Sequence, residues 1–500
     1  MESAEHVWIG DQITLEFQDE AKPAKNLKLH IAKDDSDKTI TYGQGIALGG
    51  DFYGVADAPI STAGNPQSAF RAAWATLVNA GRVMYPPFST EQSEILRIVQ
   101  KEADAVAKAI REGKEPSTAY AGLGIKLSVE WGLITALRYF NLAVKNWDHF
   151  GAYAVDAYKA GHAVACREAG LAAAEKDPAV REVRLERAYA MNAFADHFLT
   201  DLFSAGHLRV PRKEMYDRTD GAKWVLGELC RTMHGEDGRY GLNVTNANGD
   251  KWVAYGDSYL LDTKSKPNAD LAVRAVQDSA SEVWESYKNA AKVVKNKALL
   301  LIPDFKALSN RNDITNFPGL FTLNEAAQVE RRRDMSSRVK REWTDQWSAL
   351  QTLFELPSPP DEGYTNVACY DVLTSKFLGW LSIAPAAVGW NVGIVQDKAS
   401  SHGMKWCLNG GEFFLQKDTK GGDLYMGLGT DNVACWSTWI GWRRAVRVND
   451  DCTVSLAADP KRKLYLSGGS GDTFTVSWSD GKPNSWLIRI DFPLPQPAQG

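Results

Sequence analysis

The chain has 500 residues, of which 44% are apolar and 24% charged, and its net charge is −5. That balance fits a soluble globular protein of about two to four domains. It excludes a broad electrostatic footprint for duplex nucleic acid while leaving a local basic patch open. No run approaches about eighteen uninterrupted apolar residues, so no membrane span is predicted.

The opening "MESAEHVWIGDQ" lacks both a basic stretch and an apolar stretch of the secretory kind. The expectation is therefore a cytoplasmic chain, one exported by an unconventional route, or one already trimmed. Residues 1–38 alternate weakly in "HVWIGDQITLEF" and "NLKLHIA", which predicts an N-terminal β-rich segment.

From 39 to 356 the pattern is helical. "SAFRAAWATLVNAGRVM", "TEQSEILRIVQKEADAVAKAIREG", "HFGAYAVDAYKAGHAVACREAGLAAAEK" and "AVREVRLERAYAMNAFADHFLTDLFSA" carry apolar residues at helical spacing. Later helices are predicted in "NADLAVRAVQDSASEVWESYKNAAKVV" and in "LNEAAQVERRRDMSSRVKREWTDQWSALQTLFEL", with "RRRD" as a solvated helical face. The run "PSPPDEG" (357–363) contains three prolines that forbid helix and predict a short stiff linker over 357–362.

Beyond it, residues 363–495 turn to Gly, Trp, Val and short alternating runs. "FLGWLSIAPAAVGW", "DLYMGLGTDNVACW" and "KLYLSGGSGDTFTVSW" superimpose, with leading leucines Leu378, Leu424 and Leu464 spaced 46 and 40 residues apart. Trp390 and Trp436 follow their leucines by 12 residues and Trp478 by 14. Three units of this length predict a β-trefoil-like domain, because three propeller blades would not close well. The run "WSTWIGWRRAVRVNDDC" reads equally as a binding surface or as core. The whole chain is thus expected to be a multidomain α + β protein, a mainly α-helical domain followed by an all-β one. The cysteines, Cys166, Cys230, Cys369, Cys407, Cys435 and Cys452, match no CxxC pattern, and reduced thiols are the preferred reading.

Histidine is the informative residue. Five of the eight fall between 149 and 234, in "NWDHFGAYAVDAYKAGH", "MNAFADHFLTDLFSAGHLRVPR" and "TMHGEDGRYG". His197 and Asp201 stand one helical turn apart on one face, and His207 follows just past the helix end. Asp148 and His162 flank a neighbouring helix, too far apart for one ion but able to serve a cluster. A lone His with an Asp four residues on is usually a surface pair. So many titratable groups on apolar helices would instead cost several kcal/mol each if buried unpartnered, and metal ligation satisfies them together.

His197-x3-Asp201-x5-His207 resembles the central motif of the zinc-dependent phospholipase C and single-strand nuclease superfamily, over roughly residues 140–240 with specific motifs. The resemblance implies a helical fold with two or three zinc ions. By it, Asp148 would bridge two ions and steer the attacking water, His162, His197 and Asp201 would complete one ion, and His207 and His234 would hold the second with a carboxylate. Position 238 is glycine where the family places that carboxylate, so Asp237 is the substitute and Glu236 its rival. The family draws on its N-terminal residue and a nearby histidine for a third ion; His6 and Asp51 are the candidates here. His149 is a rival ligand or a neighbour of one, and Asp196 a solvated helix residue or hydrogen-bonding neighbour. Arg209, and with it Arg212, could grip a phosphate oxygen or pair with carboxylates.

The expected activity is hydrolysis of a phospholipid or other phosphodiester, of the phospholipase C type, with the C-terminal domain binding glycan or a membrane surface. A nuclease with the same metals is the alternative, as is a lectin-like protein whose helical domain has lost catalysis. Trp131, Tyr139, Phe140, Trp147 and Phe150 could serve as lipid rim or base-stacking platform.

Overall fold

The computed structural model describes residues 1–18, 20–32, 38–81, 89–120, 131, 134–135, 138–219, 221, 223–289, 294–335, 337–349 and 351–352. Beyond these it describes 367–371, 377–385, 390–396, 404–408, 412–417, 423–428, 433–437, 444–448, 453–470, 473–480 and 488–491. The chain is 49% helical and 20% strand and divides into two compact units, Met1–Ala349 and Leu350–Gly500. The proline-rich linker expected at 357–362 lies outside the described residues.

The first unit is organised on helices Gly151–Ala173 and Pro178–Asp201, joined by a tight turn and packed with helix Lys266–Lys288. Asp177 caps the second of these, its carboxylate accepting from the Ala179 and Val180 amides, and Pro178 supplies a preset first turn. Small residues let the axes approach. A Cβ at Gly161 would fall on Phe70 and on the Ala195 methyl. The C-terminal half of Pro178–Asp201 is buried on every side, so Asn192, Asp196, His197 and Asp201 all lose their water. That burial demands partners for each of them.

Two expectations are corrected in this unit. The first residues form a helix, Ser3–Asp11, rather than a strand. Glu2 and Glu5 close a reciprocal capping box there, and alternation in "HVWIGDQ" is overridden by packing against helix Tyr42–Leu48. Short strands do follow, β1 (Thr14–Glu16) with β2 (Ala21–Pro23) and β3 (Leu29–His30) with β4 (Thr39–Ile40). A further hairpin joins β5 (Leu242–Thr245) to β6 (Lys251–Ala254).

The long helix expected from Leu323 onward is instead a three-stranded antiparallel sheet of β7 (Phe321–Leu323), β8 (Val329–Arg332) and β9 (Trp343–Thr344). Asn324 makes the turn: its side chain accepts from the Ala326 and Gln328 amides, and Ala327 takes φ 56°. "RRRD" is correspondingly no solvated helical face. Arg332 is buried, pairing with Glu236 at 2.9 Å and donating to the carbonyls of Pro318 and Met335.

The second unit is a curled antiparallel sheet. Its strands are β10 (Ala368–Asp371), β11 (Phe377–Pro385), β12 (Trp390–Val395), β13 (Met404–Leu408), β14 (Glu412–Lys417) and β15 (Asp423–Leu428). Then come β16 (Ala434–Ser437), β17 (Val446–Val448), β18 (Val454–Leu456), β19 (Asp459–Ser470), β20 (Thr473–Ser479) and β21 (Ile488–Asp491). Pairing recurs every four strands. β10–β11–β12, β14–β15–β16 and β18–β19–β20 are the three runs. β13 pairs β14, β17 pairs β18 and β21 returns to β10. The third strands of the runs meet one another: β12 pairs both β16 and β20, and Val433 bridges Ser477.

The repeats seen in the sequence are core. Leu378, Leu464, Trp436 and Trp478 are buried, and the side chains of Leu424 and Trp390 lie outside the described set. Trp436 donates its indole N–H to the Ser382 carbonyl and Trp478 to that of Gly427, each reaching the preceding hairpin. Of the six cysteines, Cys166, Cys230, Cys369 and Cys435 are free and buried.

Candidate metal centre

Asp201, at the end of its helix, is the point on which the site converges. It is 1% exposed. His149 Nδ1 lies 2.8 Å from its Oδ2, His197 Nε2 3.6 Å from Oδ2, and His6 Nε2 3.6 Å from Oδ1. The Met1 α-ammonium donates to Oδ1 at 2.9 Å. Among the described residues three groups have ligand atoms within 4.8 Å of one another: His6, His197 and Asp201; Asp51, His149 and His197, which overlaps the first; and His207, His234 and Asp257. Side-chain clusters of this kind suit a metal ion, and His197 belongs to two of them.

The imidazoles are held in one tautomer by the other ring nitrogen. His197 Nδ1 lies 2.9 Å from the Ile46 carbonyl and His207 Nδ1 3.0 Å from that of His149. A carbonyl only accepts, so each Nδ1 carries the proton and each Nε2 presents a lone pair. The Thr200 hydroxyl donates to the Asp196 and His197 carbonyls, which leaves its oxygen to accept from His6 Nδ1 at 2.9 Å. His6 Nε2 is then a buried atom with no hydrogen-bond partner. A lone pair facing a carboxylate oxygen across 3.6 Å is unfavourable unless a cation lies between them. The residues present therefore fit a metal.

Charge agrees with that fit. Burial pushes His197 down to about 4. Burial, reinforced by His197, holds His6 well below 6.5, and burial with the Met1 ammonium lowers His207. Burial alone would raise Asp201 and Asp257. The Met1 ammonium and the neighbouring imidazoles outweigh it and hold both well below the usual carboxylate range. Neutral imidazole and ionised carboxylate are the forms that ligate. His149 runs the other way: burial opposes its charge, but the Asp201 hydrogen bond and charge raise it.

Glycine makes room for the rings. Gly50 has φ 63°, and a Cβ there would sit 2.5 Å from His197 Cδ2 and 2.6 Å from His149 Cε1. A Cβ at Gly206 would fall on the His234 ring. The centre faces outward through Asp51 (33% exposed), Asp257 (25%) and His234 (21%).

Of the residues expected from the sequence, the structure brings His197, Asp201, His207 and His234 together, with His6 and Asp51. Asp148 is not among them. Its carboxylate is turned away to accept from the amides of Ile60 at 2.5 Å and Ser61 at 3.0 Å and from the Ser61 hydroxyl, and its neighbour His149 takes the ligand position.

His162 is also elsewhere. It lies between Asn192 Oδ1 at 2.6 Å and Glu282 Oε2 at 3.3 Å, in a buried network with Cys166. Asp196 is no solvated residue. It accepts from Tyr42, Ser279 and Asn192, and burial carries it up to about 7.

Asp237 receives a two-pronged pair from Arg209 at 2.6 and 2.9 Å, while the third Arg209 donor goes to the Phe317 carbonyl. Arg209 and Asp237 thus satisfy each other, and neither faces the centre. Glu236 is taken by Arg332, and Arg212 by Asn146 and backbone carbonyls. The carboxylate that does stand beside His234 is Asp257, whose Oδ2 lies 3.2 Å from His234 Nε2 and whose Oδ1 accepts from the Ser204 hydroxyl at 2.6 Å. It sits in "YGDSY", beside Ser258 at φ 74°, a strained loop that no helical spacing reveals.

Among the aromatics, Trp131 and Tyr139 pack with Phe52, and Trp147 packs on Tyr216. Of these candidates, among the described residues, Phe150 alone stacks on the centre, on His207 at 4.7 Å, while Phe198 packs edge-on against His149 and His197. The Phe140 side chain lies outside the described set. Among the described residues no helix is long and apolar enough to cross a membrane. No protein-family model, curated protein or solved structure matches the chain.

Proposed function

We propose that the Met1–Ala349 unit is a zinc-dependent phosphodiesterase, of the phospholipase C type. The observation that carries this reading is the orphaned His6 Nε2 facing Asp201, in one of two ligand groups that share His197, with a third group of His207, His234 and Asp257 also among the described residues. Imidazole and carboxylate together favour zinc, and groups that share no residue favour more than one ion. His6, His197 and Asp201 would hold one ion and His207, His234 and Asp257 another, with Asp51 and His149 beside the first.

Bound there, zinc lowers the pKa of water towards neutrality and offsets charge on phosphoryl oxygens. The chain's own residues do the rest. Ile46, Thr200 and the His149 carbonyl fix the imidazole orientations. Asp51, a third exposed at the mouth, is placed to accept the proton of an attacking water. Buried Phe150 and Phe198 against the histidines limit water to that mouth.

For the second unit we propose a β-trefoil, on the strength of its threefold recurrence of four strands, acting as a binding module for glycan or a membrane surface. That role rests on analogy of fold alone.

The test is turnover of bis(4-nitrophenyl) phosphate and of phosphatidylcholine vesicles by the zinc-loaded chain. Activity lost on chelation, restored by zinc, and reduced by more than about 100-fold in His197→Ala supports the reading. Turnover unchanged by chelator or by that substitution overturns it.

A further inference from the structure

Beside the metal centre, and separated from it by one aromatic ring, lies a cavity of about 250 Å³. Phe150 is the shared wall. Its ring stacks on His207 and stands 6.4 Å from His234, and Phe150 is also among the residues that line the cavity. Phe305, Leu308, Phe321 and Trp343 are among the other apolar residues that line it.

The polar lining is unbalanced. Three guanidinium groups, Arg209, Arg311 and Arg341, face one carboxylate, Glu214, which accepts from the Tyr153 hydroxyl at 2.9 Å. Arg209 spends three of its five N–H donors on Asp237 and the Phe317 carbonyl, and its charge is balanced by Asp237. Arg311 spends one donor on Glu330 at 2.7 Å and lies 4.9 Å from the Trp343 ring. Arg341 donates to the Asn316 carbonyl, and among the described residues no carboxylate forms an ion pair with it. Asp313 senses its charge only at longer range. A partly buried guanidinium with donors to spare, at the edge of an aromatic cavity, is a site for an anion that carries an apolar body. The planar fork suits a phosphate-type headgroup above others.

We propose that this cavity is a second ligand site, taking a small organic phosphate with its apolar body against Phe305, Phe321 and Trp343 and its anionic end on Arg341, assisted by Arg311. It does not require the metal centre to be catalytic. Its place one ring away means that occupancy bears on Phe150 and through it on His207.

The experiment is calorimetric titration of the full chain with phenylphosphonate, once in chelator and once zinc-loaded, with inorganic phosphate and benzyl alcohol as half-ligands. In chelator the metal centre contributes no phosphonate binding, so the cavity is read alone. The expected result is one phenylphosphonate per chain, bound at least about tenfold more tightly than either half-ligand. Arg341→Gln should weaken it by at least about tenfold, Arg341→Lys should retain part of the affinity, and Leu308→Trp should abolish it by filling the space. Asp201→Asn should leave binding in chelator unchanged. Affinity no better than that of inorganic phosphate, or equal in wild type, Arg341→Gln and Leu308→Trp, overturns the proposal. Loss of turnover without loss of this binding would count against the phosphodiesterase reading and not against the cavity.

Discussion

His6 Nε2 and Asp201 Oδ1 stand 3.6 Å apart, buried, with the imidazole proton committed on the opposite side of the ring to Thr200. Two lone pairs facing each other in a dry interior are costly unless a cation lies between them. The Met1 ammonium, 2.9 Å from the same carboxylate oxygen and 3.2 Å from His207 Nε2, already marks this as the point where positive charge is favoured.

The Thr200 hydroxyl therefore tunes the centre without touching an ion. Thr200→Val removes the acceptor that fixes the His6 tautomer, and zinc affinity should fall by about 10- to 100-fold with the fold intact. Competition titration against a zinc-binding dye reads this directly, and an unchanged affinity would remove His6 from the ligand set.

Asp257 and Asp237 should separate cleanly. Asp257→Asn should lower zinc content and turnover. It should also lower the stability of the metal-free chain at neutral pH, because, against its burial, the Met1 ammonium and His234 hold that carboxylate well below its usual range. Asp237→Asn should leave Arg209 buried without its partner, cost about 3–5 kcal/mol of stability, and keep the zinc content. Metal analysis on the two variants distinguishes the assignments, and thermal melts read the stability losses.

The sequence made half of this centre legible, and the reason is geometric. His197 and Asp201 announce themselves because four residues on a helix fix a common face. Asp148 and His149 are adjacent, and which one turns inward depends on the Ile60 and Ser61 amides, far away in the chain. Asp237 lies one turn from His234, but Arg209 draws it aside. Asp257 comes from a strained loop after β6, reached only through tertiary folding. In the fold, the amphipathic helices and the threefold β recurrence follow from periodicity. Leu323–Thr344 does not, because the Asn324 turn and the buried Arg332–Glu236 pair override its helical spacing.

His162 belongs to a stability network, and its pH dependence should show it. Burial opposes its charge, but Cys166, Glu282 and Asn192 raise it well above 6.5, whereas Glu282 is held below 4.5 despite its burial by the hydrogen bond and charge of His162. The His162 contribution is full below 6.5 and is lost as pH rises through its folded value. The Glu282 contribution is full above 4.5 and is lost as pH falls through its own. Glu282→Gln should thus cost most between those limits, about 3–5 kcal/mol, and much less at alkaline pH. Melts across that range test it, and zinc content should not change.

Gly50→Ala tests how closely the loop cradles the rings. At φ 63° and 2.5 Å from His197, the added methyl should destabilise the chain by about 1–3 kcal/mol and displace His149 and His197. Zinc content and melting temperature should fall together.

The central claim is that Asp201 gathers metal ions, and the most direct measurement is the zinc content of untagged protein purified without chelator, alongside Asp201→Ala. More than one zinc per chain is expected, one for each of the two ligand groups that share no residue, with a marked fall in the variant. A chain that binds no zinc even when the metal is supplied in excess, or an Asp201→Ala protein that keeps its full complement, would contradict it.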